Sequence, residues 1–227
     1  MKAWDGWWIA GLVVLAPSLA GAASFSDTFE TAASPLWGNE QGSWSATSGV
    51  YDAAAPGTFP NAHSSLPFVL TDFALELDVK GVKDGGVWLR STDAPGTSVG
   101  RKGVLLVTGG NGGAGTGFYW HIVDTGGGYG GSLNEQTGLF VPGVSDAHLR
   151  VVVQGDSYSV YLDGAQTPAT TLISSAFGQG QVALYDFSTQ SFDNVALTPV
   201  PEPRTAVLFA IGLTAVVGSA CRRRKRL

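Results

Sequence analysis

Phe73-Ala74-Leu75-Glu76-Leu77-Asp78-Val79-Lys80 alternates without a break. In an extended chain Phe73, Leu75, Leu77 and Val79 fall on one face, and Glu76, Asp78 and Lys80 on the other. That pattern predicts a β-strand with one face on a core and one in polar surroundings. Residues 86–92 repeat it, placing Val87 and Leu89 inward and Trp88 and Arg90 outward. Residues 118–124 do so again, with Phe118, Trp120 and Ile122 on one face and Tyr119 and His121 on the other.

Outward from these stretches, no helical period of useful length occurs between Ser24 and Pro199. Short runs at residues 25–29, 44–46, 50–53, 64–69, 148–154, 157–162, 182–187 and 192–197 are separated by Gly, Pro, Asn and Asp. Residues 104–108 are continuously apolar, as in a strand buried on both faces. Gly155-Asp156 predicts a hairpin turn, and Asp163-Gly164 begins the next. About a dozen short strands at this spacing indicate an all-β fold, an antiparallel two-sheet sandwich.

The two ends read differently. Lys2, an apolar core at residues 7–16 and the small residues Ala20-Gly21-Ala22 form a signal peptide over residues 1–23, read by the Sec export machinery. At the other end stand Pro201-Glu202-Pro203, seventeen uncharged residues from Thr205 to Cys221, and the cluster Arg222-Arg223-Arg224-Lys225-Arg226. The run is just long enough for a single transmembrane helix, and the basic cluster would stay cytoplasmic. Cys221 reads as an ordinary residue of that span. The order of parts over residues 200–227 resembles the PEP-CTERM sorting signal of Gram-negative bacteria. That resemblance implies an inner-membrane anchor before processing, recognition by an exosortase, and release to the cell surface or extracellular space.

Residues 24–199 form one domain, with six basic against sixteen acidic residues, a formal charge of −10. Nucleic acid needs a basic footprint and is excluded as a partner. No cysteine lies in this span, so no disulfide staples it. Gly110-Asn111-Gly112-Gly113-Ala114-Gly115 spells a dinucleotide fingerprint, but a strand follows where a phosphate-binding helix is required. His63, His121 and His148 lack the context of a nucleophilic triad.

Phe25-Ser26-Asp27-Thr28-Phe29-Glu30, Gly42-Ser43-Trp44-Ser45, the stretch His148-Leu149-Arg150-Val151 through Tyr158-Ser159-Val160-Tyr161-Leu162-Asp163-Gly164, and Phe192-Asp193-Asn194-Val195 together resemble the laminin G-like branch of the concanavalin A-like lectin/glucanases. The resemblance implies a jelly roll whose concave sheet often carries a glycan site. It also implies a calcium ion near the paired first and last strands, where Asp27 and Asp193 are its candidate ligands; two carboxylates would need backbone carbonyls beside them. Laminarinase-like members alternate carboxylates along one strand. Glu76-Leu77-Asp78 begins that pattern, but Lys80 and Gly81 interrupt it, so it reads as a solvated face and no catalytic residue is assigned.

Sugar binding needs a flat aromatic ring with polar groups beside it. Trp88 with Glu76, Asp78 and Arg90, extended by Tyr119 and His121, is the candidate groove for extracellular polysaccharide. The alternative places Trp88 in a minor core under a loop. Non-catalytic polysaccharide binding leads; a structural matrix role without a ligand, and a glycoside-active enzyme, are the alternatives.

Overall fold

A computed structural model describes residues 24–109, 116–124 and 128–200. The signal-peptide reading and the sorting tail, with Pro201, Glu202, Pro203, Arg222, Arg223 and Arg224, lie outside them. Among the described residues there is no helix, and so none long and apolar enough to cross a membrane.

Fourteen strands follow in chain order among the described residues: β1 (Phe25–Asp27), β2 (Trp44–Thr47), β3 (Val50–Ala53), β4 (Ala62–Ser65), β5 (Phe73–Lys80), β6 (Gly85–Asp93), β7 (Arg101–Val107), β8 (Phe118–Val123), β9 (Leu133–Gln136), β10 (Ala147–Gln154), β11 (Ser157–Leu162), β12 (Thr170–Ile173), β13 (Gln181–Asp186) and β14 (Ser191–Pro199). They make two antiparallel sheets in a sandwich. One has eight strands, ordered β12-β11-β10-β5-β14-β3-β2, with β1 also on β14; the other has six, ordered β4-β13-β6-β7-β8-β9.

The core follows from period-two alternation carried across the ladders. Leu197, Leu75, Val151 and Val160 sit side by side on four neighbouring strands. They share one core with Val87, Leu89, Val104, Leu106 and Trp120 of the other sheet, all fully buried. Each such side chain is worth about 1.5–3 kcal/mol over exposure. The hairpin at Gly155-Asp156 forms as expected, with Gln154 opposite Ser157. β9 and β12 were not legible: β9 is exposed throughout, and edge pairing holds it without an apolar stripe.

Three features depart from the sequence expectations. First, β5 and β6 are consecutive yet belong to different sheets, so Glu76 and Asp78 do not share a face with Trp88 and Arg90. Second, β6 carries a bulge, where Leu89 opposes Val104 but Thr92 opposes Lys102. Arg90 sits in it at φ 46° and turns inward instead of outward. Its guanidinium donates to the Thr71 carbonyl at 2.7 Å, the Phe177 carbonyl at 3.0 Å, the Tyr158 hydroxyl at 3.2 Å and the Asp72 carboxylate at 3.1 Å. Opposite the bulge stands Gly103, at φ 150°, where a Cβ would lie 2.7 Å from the Ser91 Cα.

Third, Trp88 has 0% exposure, which excludes the outward groove and matches the alternative of a minor core under a loop. The outer face of the six-stranded sheet carries a second core of Trp88, Val99, Leu105, Val107, Tyr119, Val123, Ala183 and Tyr185. Loop residues complete it, so both faces of β6, β7 and β8 are covered.

At the end of β13 the Asp186 carboxylate is fully buried. One oxygen accepts from the Ser188 and Gln190 amides, and the other has no partner, as has the Gln190 Nε2. Burial pushes Asp186 up to about 7 against the pull of those amides.

Two outcomes are expected. Asp72→Ala strands the buried Arg90 charge and should lower stability by about 3–5 kcal/mol in urea unfolding; a loss under about 1 kcal/mol would contradict the ion-pair account. Asp186 holds its proton longer folded than unfolded, so its contribution is full below about pH 4 and is lost as pH rises to about 7. Asp186→Asn should therefore flatten the melting midpoint between pH 5 and 8 and raise it at pH 8; an unchanged profile would show that Asp186 titrates normally.

Candidate functional site

The sequence-derived residues separate into three places. Glu76 and Asp78 lie on the outer face of the eight-stranded sheet. Glu76 pairs with Arg150 at 3.7 Å, and both side chains are about half exposed. Asp78 meets His148 at 2.7 Å and accepts from Asn194 at 2.9 Å. Burial alone would raise Asp78, but those hydrogen bonds and nearby Lys80 hold it below the usual carboxylate range. This is a solvated, charge-paired strand face. Trp88 and Arg90 are buried as described.

The two calcium candidates each have protein partners. Asp27 accepts from the Phe29 amide at 3.1 Å, the Ser34 amide at 2.7 Å and the Trp37 indole at 2.9 Å. Its oxygens clasp the loop after β1. Asp193 bonds its neighbour Asn194, which reaches on to Asp78. The described residues contain no group of three or more His, Cys, Asp or Glu side chains that could hold a metal ion.

Tyr119 and His121 do share a site. Their alternation on β8 puts both on the outer face of the six-stranded sheet, while Phe118 and Trp120 face the inter-sheet core. There they line a pocket of about 190 Å³ with Phe59, Asn61, Asp84, Val107, Tyr129, Tyr185 and Phe187. That is below the roughly 300–1,000 Å³ of drug-sized ligand pockets, so it suits one ring of a larger ligand. Phe59 remains 63% exposed at its mouth, with Phe187 at 5.7 Å between ring centres. His121 stands edge-on to Tyr119 at 5.1 Å and tilted against Tyr129 at 5.1 Å. Its Nδ1 lies 3.3 Å from the Gly131 carbonyl, tying the Tyr129 loop to β8.

A polar chain crosses the back of the pocket. Asn61 Nδ2 donates to the Tyr129 hydroxyl and, at 3.3 Å, to the Tyr185 hydroxyl. Burial raises both hydroxyls, and the nearby Asp84 carboxylate adds to it. Asn61 Oδ1 has no hydrogen-bond partner, and the atom itself is buried. Burial pushes Asp84 up to about 6 and Tyr129 up to about 12, and it lowers His121, which stays neutral at pH 7.

Six lining residues were not found from sequence: Phe59, Asn61, Asp84, Tyr129, Tyr185 and Phe187. The one available signal was Tyr129, an aromatic residue inside the glycine cluster at residues 126–131.

No protein-family model and no curated protein matches the chain in sequence. Solved structures match it in shape. Carbohydrate binding module CBM66 from Bacillus subtilis superposes with a TM-score of 0.51 at 18% identity, covering 73% of this chain and 93% of that one. LamAcat from Zobellia galactanivorans does so with a TM-score of 0.50 at 14% identity, covering 77% and 96%. At such identities the likeness shows the fold alone, an antiparallel two-sheet β-sandwich.

Proposed function

We propose that this chain is an exported protein whose sandwich binds carbohydrate without cleaving it, in the pocket between Phe59, Tyr119, Tyr129 and Phe187. The carrying observation is that pocket: aromatic rings with hydroxyl, amide and carboxyl groups at their edges, opening on a wet mouth. Sugar rings offer an apolar face and a rim of hydroxyls, which such a lining matches. Fold likeness to a carbohydrate-binding module agrees with this reading without carrying it.

Non-catalytic binding is favoured because Asp84 is the single carboxylate among the described lining residues. Glycoside hydrolysis generally takes two, about 5–5.5 Å apart for retention or roughly 6.5–9.5 Å for inversion. Glu76 and Asp78 cannot supply the second, since they belong to the other sheet.

Export belongs to the same proposal. Residues 1–23 direct Sec-dependent passage, and residues 200–227 hand the chain to an exosortase, which removes the tail. The mature protein then stands at the cell surface or in the extracellular matrix, where polysaccharide is its partner.

One set of samples tests both halves. Calorimetry of the purified chain with the producing cells' extracellular polysaccharide should show saturable binding, weakened about tenfold in Phe59→Ala. Stability should stay within about 0.5 kcal/mol, because Phe59 is largely exposed. Absence of binding would leave a structural matrix role; release of reducing sugar would make the protein an enzyme. The intact mass of exported protein should lack the tail, and Glu202→Ala should retain it.

A further inference from the structure

The pocket's charge and hydrogen-bonding polarity narrow what it can hold. Both hydrogens of the Asn61 amide are spent on the Tyr129 and Tyr185 hydroxyls. The one charged group left to meet a ligand is the Asp84 carboxylate, whose ionised oxygens only accept. No Lys or Arg lines the pocket among the described residues, and none pairs with Asp84. Around these acceptors stand the faces and edges of Phe59, Tyr119, Tyr129 and Phe187. Rings around one carboxylate, with no resident cation, make the environment that holds an ammonium group.

We infer that the pocket selects a saccharide carrying a free amino group, its ammonium placed between the aromatic rings and the Asp84 carboxylate. This rests on the carbohydrate-binding reading and names the sugar class within it. An N-acylated or neutral sugar lacks the charge. A uronic acid brings a second negative charge against Asp84 and is rejected.

Titration supports the assignment. Burial holds Asp84 up near 6, the cost of a carboxylate in this lining without a counter-ion. The titratable groups facing it are Tyr185 of β13, Tyr119 and His121 of β8, and Tyr129 of the following loop. The tyrosines are all raised and stay protonated at neutral pH, and His121 is neutral. Asp84 is therefore the group that carries the pocket's charge at neutral pH.

The test is calorimetry of the full chain at pH 7 with glucosamine, glucose, N-acetylglucosamine and tetramethylammonium. Glucosamine should bind about tenfold more tightly than glucose or N-acetylglucosamine, the scale of one cation–carboxylate contact inside an aromatic lining. Asp84→Asn, which removes the charge at nearly constant volume, should bring glucosamine to the affinity of the two neutral sugars. In the wild type the ratio should fall towards one as pH drops through about 6 and Asp84 takes up a proton; this readout needs no variant. Equal affinities for the three sugars, all lost in Phe59→Ala, would overturn the amino-sugar inference while leaving carbohydrate binding intact. Tetramethylammonium binding as tightly as glucosamine would show a cage that reads the cation alone, and would overturn the saccharide part. Binding of none of the four would overturn both readings.

Discussion

The six-stranded sheet has to bury both of its faces. β6, β7 and β8 place Val87, Leu89, Val104, Leu106, Phe118 and Trp120 against the other sheet, and Trp88, Leu105, Val107 and Tyr119 on the side away from it. The second set is as apolar as the first, so loops must fold over it. The eight-stranded sheet is under no such pressure: Glu76, Arg150, Asp78 and His148 pair with one another on its outer face. The asymmetry decides where a ligand can go. On one side lies a screened lattice of exposed charges. On the other, loops supply Phe59, Tyr129 and Phe187 above a floor of strand residues, and the gap they leave is the pocket.

The polar groups in that cover obey the same economy. A buried hydroxyl or amide without a partner costs about 1–3 kcal/mol, so Tyr129 and Tyr185 share the Asn61 amide. Arg90 shows the same rule inside the sandwich, where two carbonyls, a hydroxyl and a carboxylate meet one guanidinium. At the pocket the pairing is incomplete. Asn61 Oδ1 is left over, and Asp84 sits among rings without a counter-ion. Departures of this kind from full satisfaction mark where a structure expects something else to bind.

Much of the fold was legible in particular residues. The alternation from Phe73 to Lys80 gave β5 with its faces correctly assigned, and the continuous run at residues 104–108 marked a doubly buried strand. The faces of Tyr119 and His121 against Phe118 and Trp120 were readable as well. Sheet membership was not, because period two assigns a side chain to a face without naming the sheet. That is why Glu76 and Asp78 were grouped with Trp88. The bulge that turns Arg90 inward is a backbone event, with φ 46° at a residue whose type does not announce it. Two-thirds of the pocket escaped for a third reason. Phe59, Asn61, Asp84, Tyr185 and Phe187 are distant in sequence and come together only through β4, β13 and the connections beside them, while Tyr129 lies on a loop with no period to read.

The central claim is that ligand enters on the loop-covered face of the six-stranded sheet. Amide chemical-shift mapping of the isotope-labelled chain, titrated with extracellular polysaccharide, tests it most directly. The account predicts that the largest shifts cluster at Asn61, Asp84, Tyr129 and Phe187, with the eight-stranded sheet unmoved. Shifts centred on Glu76, Asp78 and Arg150 instead would place binding on the opposite face and contradict it.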